Sequence, residues 1–147
     1  MFRILMNTES LITKLKERGL KVTPQRVLVM KAVSVSGHHP TAEDIFKVAK
    51  IELPNIAIGT IYNILDMLVK NRLIERVSTI GDKMRYDVIS GNHHHLLGSD
   101  SDMIEDYYDE KLTGVIGRYL DKNTIPGFKV SGFKLNISGK FNKSGKN

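Results

Sequence analysis

The order in which hydrophobic periodicities succeed one another constrains this fold more than any single motif. From Asn7 to Asn71 apolar residues recur at helical spacing in four separate stretches. Two short β-rich runs follow, Ile74 to Ile80 and Met84 to Ile89, joined by Gly81-Asp82-Lys83, a tight-turn sequence. Helices followed by a hairpin predict a winged helix-turn-helix, a shape that lays one helix in a DNA major groove.

Each predicted helix carries its own start and stop. Asn7 can cap the first, with Leu11, Ile12, Leu15 and Leu20 as its apolar stripe and Gly19 as its stop. Thr23-Pro24 opens the second, in which Val27, Val29, Met30 and Val33 continue the pattern. After the turn Gly37-His38-His39-Pro40, Thr41-Ala42-Glu43-Asp44 caps a third helix and sets acids against its positive end. Ile45, Val48, Ile51 and Leu53 are expected to face inward there, and Pro54 to end it. The fourth helix, Ala57 to Asn71, is expected to bury Ile58, Ile61, Leu65 and Leu68 and to expose Gly59, Asn63, Asp66 and Lys70. Thr60 and Tyr62 lie beside its start, so its first turns could approach a groove closely.

Composition changes after Gly91, which predicts a junction between residues 88 and 93: domain 1–90 and domain 91–147. Beyond it, Met103 to Tyr107 reads as a short strand and Asp109 to Leu120 as a helix with Leu112, Val115, Ile116 and Tyr119 inward. Phe128 to Ile137 reads as a strand bent at Ser131-Gly132, and Ser138 to Asn147 as a frayed tail. The fold class is α+β. So small a second domain has little core of its own, and pairing with a second copy, a homodimer, is expected.

Chemistry concentrates in residues 86–106, where Asp87, His93, His94, His95 and Asp106 supply imidazoles and carboxylates. The other two histidines, His38 and His39, are also adjacent, so all five imidazoles fall in two clusters. That donor set suits iron, manganese or zinc; the bland alternative is a polar loop with exposed histidines. The chain has no cysteine, which removes disulfides and thiolate metal sites. Its formal charge of +6 is uneven, basic over the first 31 residues and acidic from Asp100 to Glu110, as a polyanion partner at one place and a cation at another would require. No apolar run is long enough to cross a membrane and no signal peptide is evident, so a cytoplasmic protein is expected.

Six segments, Gly-Leu-Lys-Val-Thr-Pro-Gln-Arg (19–26), His-His-Pro-Thr-Ala-Glu-Asp-Ile-Phe (38–46), Gly-Thr-Ile-Tyr-Asn-Ile-Leu (59–65), Arg-Tyr-Asp (85–87), His-His-His (93–95) and Ile-Glu-Asp (104–106), resemble in order and spacing the ferric uptake regulator (Fur) superfamily, most closely its peroxide-sensing PerR branch. The resemblance implies an N-terminal winged-helix DNA-binding domain, a small C-terminal α/β dimerisation and metal-sensing domain, and a homodimeric repressor of an AT-rich palindromic DNA operator. It implies a metal site of His39, Asp87, His93, His95 and Asp106, taking Fe2+ or Mn2+, with Zn2+ able to enter in vitro. Aspartate at position 106 resembles the peroxide sensors, in which a ligand histidine, here His39 or His93, is oxidised. Tyr62 matches a tyrosine that packs on thymine methyls and Lys21 a lysine that reaches the minor groove, while Arg26, Gly59 and Thr60 lie where further DNA contacts would be made.

Three departures stand out. Gly98 and Ser101 occupy positions where the family usually has cysteines, and the end of the chain has no thiol, so a cysteine-bound structural zinc is excluded. Asn63 stands where an arginine commonly follows the tyrosine, and Ala57 replaces a capping serine. His38 and His94 are expected to be exposed flanking residues, with an outer-shell or transient ligand role as the alternative. An iron, zinc or manganese uptake regulator without peroxide sensing is the alternative within this fold. A non-haem iron or zinc enzyme is the alternative outside it, disfavoured because the chain is short, shows no substrate-pocket signature and gives much of its length to a winged helix.

Overall fold

Asn7 opens the first helix as expected, its side-chain oxygen accepting the Ser10 N–H at 2.8 Å. The computed structural model of the chain describes residues 7–35, 39–79, 81, 83–89 and 93–142, which form two units divided between Ile89 and Ser90.

The first unit contains α1 (Thr8–Glu17), α2 (Pro24–Val35), α3 (Ala42–Glu52), α4 (Ile58–Lys70) and an antiparallel hairpin of β1 (Ile74–Ser78) and β2 (Met84–Val88). Gly19, at φ 70°, ends α1 in a conformation that costs glycine little, and Thr23 accepts the Arg26 N–H to start α2. Thr41 and Asp44 cap α3 reciprocally: the threonine hydroxyl accepts the Asp44 N–H at 3.2 Å and the aspartate accepts the Thr41 N–H at 3.0 Å. Leu11, Leu15, Val29, Val33, Ile45, Ile61, Leu65, Leu68 and Ile74 fill one core. Of the hairpin turn, Asp82 lies outside the described residues; Thr79 donates across it to the Lys83 carbonyl.

Two apolar stripes differ from the sequence reading. Val48 and Ile51 are exposed, by 45% and 80%, because α3 buries Ala42, Ile45 and Ala49, and Ile51 stands well around the helix from that seam. In α4 the buried side chains are Ile61, Ile64, Leu65 and Leu68; Ile58, in the first turn beyond the core's edge, is exposed.

The second unit is β3 (His94–Gly98), β4 (Ile104–Tyr107), α5 (Glu110–Lys122) and β5 (Asn136–Gly139). β3 is central, antiparallel to β4 and parallel to β5. Asp109 caps α5 by accepting the Leu112 N–H at 2.9 Å. The predicted strand over 128–137 is shorter and later. Gly127 turns the chain at φ 71°, residues 129–135 have no regular ladder, and pairing begins at Asn136, so Ser138 and Gly139 belong to a strand rather than a frayed end. Among the described residues of this unit no apolar side chain is fully buried. Val115 and Tyr119, expected to point inward, are 51% and 64% exposed.

Candidate metal centre

In the first unit, β-pairing places the donor groups. The Pro40 carbonyl accepts the Tyr86 N–H at 2.9 Å, Thr41 forms an antiparallel bridge with Arg85, and Arg85 donates from Nη1 to the His39 carbonyl at 3.0 Å. Residues 39–41 thus run alongside β2, and the register of that bridge brings His39 level with Asp87. His39 Nε2 lies 3.4 Å from Asp87 Oδ2. Both residues are buried, His39 at 2% and Asp87 at 0% exposure, and a carboxylate without water needs an ionic or hydrogen-bonding partner. His39 has φ 50°, a conformation that is costly for a non-glycine residue and recurs at functional sites. One carboxylate the sequence reading did not single out, Glu75, is the direct cross-strand partner of Asp87. Its signal was available only by counting the hairpin register.

In the second unit a different pairing does the same work. His95 stands opposite Asp106 in the β3–β4 ladder, and His93, two residues earlier, shares its face. His93 Nε2 and His95 Nε2 lie 3.5 and 3.7 Å from the same oxygen, Asp106 Oδ1. The two rings meet edge to face at 5.1 Å, and Tyr108 packs against His93 at 5.5 Å between centroids. Two imidazole nitrogens converging on one carboxylate oxygen form a donor set that a divalent cation of nitrogen and oxygen preference fits.

His94 corrects an expectation. It faces away from His93 and His95, as strand alternation requires, but it is buried at 1% exposure rather than exposed. Its Nδ1 accepts the Leu135 N–H at 3.1 Å, which leaves Nε2–H to donate to the Thr113 hydroxyl at 2.7 Å, while that hydroxyl donates to the Asp109 carbonyl. Phe133 stacks on the ring at 5.8 Å. Burial holds its pKa below the usual histidine range, and Lys134 acts in the same direction. His94 is therefore a satisfied structural histidine; Thr113, three positions into a helix read only for its apolar face, gave no signal of this role. His38 lies outside the described residues.

The residues expected at DNA sit on the surface of the first unit. Lys21, Gly59, Tyr62 and Asn63 are exposed and Thr60 and Arg26 half-buried. Arg26 donates to the Lys21 carbonyl at 2.8 Å, tying the two basic residues together. Tyr62 donates its hydroxyl to Glu43 on α3 at 2.9 Å. That bond raises the phenol's pKa; the Glu43 carboxylate is lowered by its own backbone N–H first and by Tyr62 second. No side chain caps α4 at Ala57, and the space over Gly59 is open. Asp66 of α4 pairs with Arg76 of β1, fixing this helix against the hairpin.

Gly98 and Ser101 adjoin one another in the turn from β3 to β4, where Gly98 N–H donates to the Met103 carbonyl at 2.9 Å. With no thiol there, the turn is closed by backbone hydrogen bonds. No helix among the described residues is long and apolar enough to cross a membrane.

The ferric uptake regulator family model matches residues 17–138. The chain is 34% identical over 126 residues to the peroxide operon regulator of Bacillus subtilis, covering 85% of this chain and 84% of that protein. It is 31% identical over 131 residues to the peroxide-responsive repressor PerR of Staphylococcus saprophyticus, covering 89% and 86%. Among solved structures, the Campylobacter jejuni peroxide stress regulator superposes with a TM-score of 0.72 at 27% identity, covering 91% of this chain and 98% of that one. The Helicobacter pylori ferric uptake regulator does so with a TM-score of 0.77 at 23% identity, over 99% and 97%. With a winged-helix unit, a small α/β unit and histidine–aspartate clusters in both, the chain belongs to the ferric uptake regulator family of metal-responsive transcription regulators rather than to a family of enzymes.

Proposed function

We propose that this protein is a cytoplasmic, homodimeric transcriptional repressor that binds an AT-rich palindromic operator when loaded with Fe2+ or Mn2+ and releases it on exposure to peroxide. Residues 1–90 bind DNA through Lys21, Arg26, Gly59, Thr60, Tyr62 and Asn63; residues 91–147 dimerise and complete metal sensing. The cation is held by His39 and Asp87 from the first unit and by His93, His95 and Asp106 from the second. One observation carries this reading: each unit holds buried imidazole against a carboxylate, and the clusters are only six residues apart along the chain, from Asp87 to His93. Three imidazoles and two carboxylates are a donor set that iron and manganese accept with a position to spare.

The chain's own residues do the switching. Sharing a cation between the two sides of the 89–93 junction would restrict how the dimer presents its two α4 helices, and a coupling of about 1–3 kcal/mol is ordinary for such a device. When bound, ferrous iron would supply the electron that reduces peroxide. His39 and His93 are the imidazoles whose oxidation would end their service as ligands. The relatives named as peroxide regulators favour peroxide as the signal. The open apolar surface of the second unit, Val115, Tyr119, Phe128 and Ile137, favours a second copy as its cover.

Operator affinity measured with and without Mn2+ or Fe2+ tests the switch, and equal affinities reject it. Mass spectrometry after iron and peroxide should find one added oxygen on His39 or His93. A clean spectrum with metal-dependent DNA binding intact would leave a metal-uptake regulator.

A further inference from the structure

Tyr62 projects from the exposed face of α4, the face that also carries Gly59, Asn63 and Asp66, and is itself 40% exposed. A long side chain on a helix has two common χ1 settings, and an exposed one samples both unless something holds it. Space for the ring to move exists here: Tyr62 lines an open cleft of about 290 Å3 together with Glu43, Lys83, Met84 and Tyr86. One bond selects among the orientations. The Tyr62 hydroxyl donates to Oε1 of Glu43 at 2.9 Å, tying α4 to a residue 19 positions earlier on α3.

A tie positions a side chain only when its other end is fixed, and Glu43 is. It stands in the first turn of α3, whose start is held by the reciprocal Thr41–Asp44 cap. The segment leading into that turn is held as well, the Pro40 carbonyl accepting the Tyr86 N–H at 2.9 Å and Thr41 bridging to Arg85. The carboxylate is steadied over the turn chiefly by its own backbone N–H, which lowers its pKa. Further along the same face of α4, Asp66 pairs with Arg76 of β1, so the face is braced at a second point about one helical turn away.

We propose that Glu43 is a positioning residue for DNA reading, holding the Tyr62 ring in the orientation that meets the bases without touching them itself. The inference rests on the DNA-binding reading above and adds a residue that reading does not include. Its charge and its acceptor oxygen act in opposite senses: the charge repels a polyanion, whereas the acceptor orders the ring. An untied ring divided between two settings is competent about half the time, so each α4 loses about twofold and a dimer about fourfold.

The probes are a DNA duplex selected from a randomised pool by the full-length protein in Mn2+, and the same duplex with deoxyuridine for thymidine. Deoxyuridine lacks the C5 methyl that an apolar side chain meets in the major groove. The ratio of the two affinities reads the ring's contact and cancels the charge of Glu43. Glu43→Ala should lower this ratio by about fourfold. Glu43→Gln, whose amide oxygen still accepts the hydroxyl, should hold the ratio while both affinities rise. Tyr62→Phe, which keeps the ring and loses the donor, should match Glu43→Ala, and the double variant should be no worse than either. An unchanged ratio in Glu43→Ala overturns the proposal, as does a ratio in Glu43→Gln as low as in Glu43→Ala. Losses that multiply in the double variant also overturn it, because the hydroxyl would then bond to DNA rather than act through Glu43. In the DNA-free protein, the Hα–Hβ coupling constants of Tyr62 should report one χ1 setting in wild type and Glu43→Gln and an average in Glu43→Ala. That average, combined with a wild-type ratio of one, rejects the role of Tyr62 at thymine and the proposal with it, while leaving the tie. Failure to select any duplex rejects the DNA-binding reading itself, and the proposal falls with it.

Discussion

His94 offers the sharpest test of how the second unit is built, because a histidine flanked by two candidate ligands is easily mistaken for a third. Truncation to alanine removes a hydrogen bond at each ring nitrogen, to Leu135 and to Thr113, and the stacked contact with Phe133. At about 1 kcal/mol per neutral hydrogen bond and a similar amount for the aromatic pair, His94→Ala should destabilise the metal-free second unit by about 3 kcal/mol. Asparagine can reproduce the Nδ1 acceptor but cannot reach Thr113, so His94→Asn should cost roughly half as much. Amide hydrogen exchange reads this locally: the segments over β3 and Leu135 should exchange about 100-fold faster in His94→Ala, the kinetic image of that free energy. Metal stoichiometry should be unchanged in protein that remains folded. Unaltered exchange combined with lost metal would refute the argument, because it would make His94 a ligand rather than a strut.

Other consequences of the geometry can be checked singly. Thr41→Ala should cost the first unit about 1 kcal/mol in urea denaturation, since it removes one arm of the α3 capping box. The Asp44 carboxylate is held below the usual aspartate range, chiefly by the Thr41 N–H, so its contribution is complete above the ordinary aspartate pKa and is lost as pH falls through the depressed folded value; thermal melts of Asp44→Asn and wild type should differ at neutral pH and converge in strong acid. A Cβ on Gly98 would run into Ser101 Oγ, so Gly98→Ala should lower the melting temperature of the second unit, and adding Ser101→Ala should recover part of the loss. Lys21→Ala should weaken operator binding similarly across sequences and lower the salt slope by about 1, whereas Tyr62→Ala should cost about 1–3 kcal/mol and relax sequence preference; DNA titrations at several salt concentrations separate the two.

Much of this was legible before any coordinates because local chemistry decides it. Asn7 and Thr41 start helices through their own side chains, and glycine at 19 stops α1 through its own backbone freedom. The winged-helix order was readable because periodicity switches from helical to alternating at Ile74. Where apolar residues crowd a helix on several sides, as at Val48 and Ile51 on α3, pattern alone could not tell which face a neighbour would claim. β3 escaped notice because its first residues are histidines, whose polarity conceals a strand that only its partners β4 and β5 make central.

What the sequence determined by itself was the inventory: which donors exist, that none is a thiol, and which helices begin where, since these depend on residues adjacent in the chain. Tertiary structure decided which donors meet. Ladder register, a long-range property, set His95 against Asp106 and Glu75 against Asp87, and strand alternation turned His94 from its neighbours into a hydrogen-bonded core. A shift of one residue in the β3–β4 ladder would preserve every motif and take Asp106 away from His93 and His95.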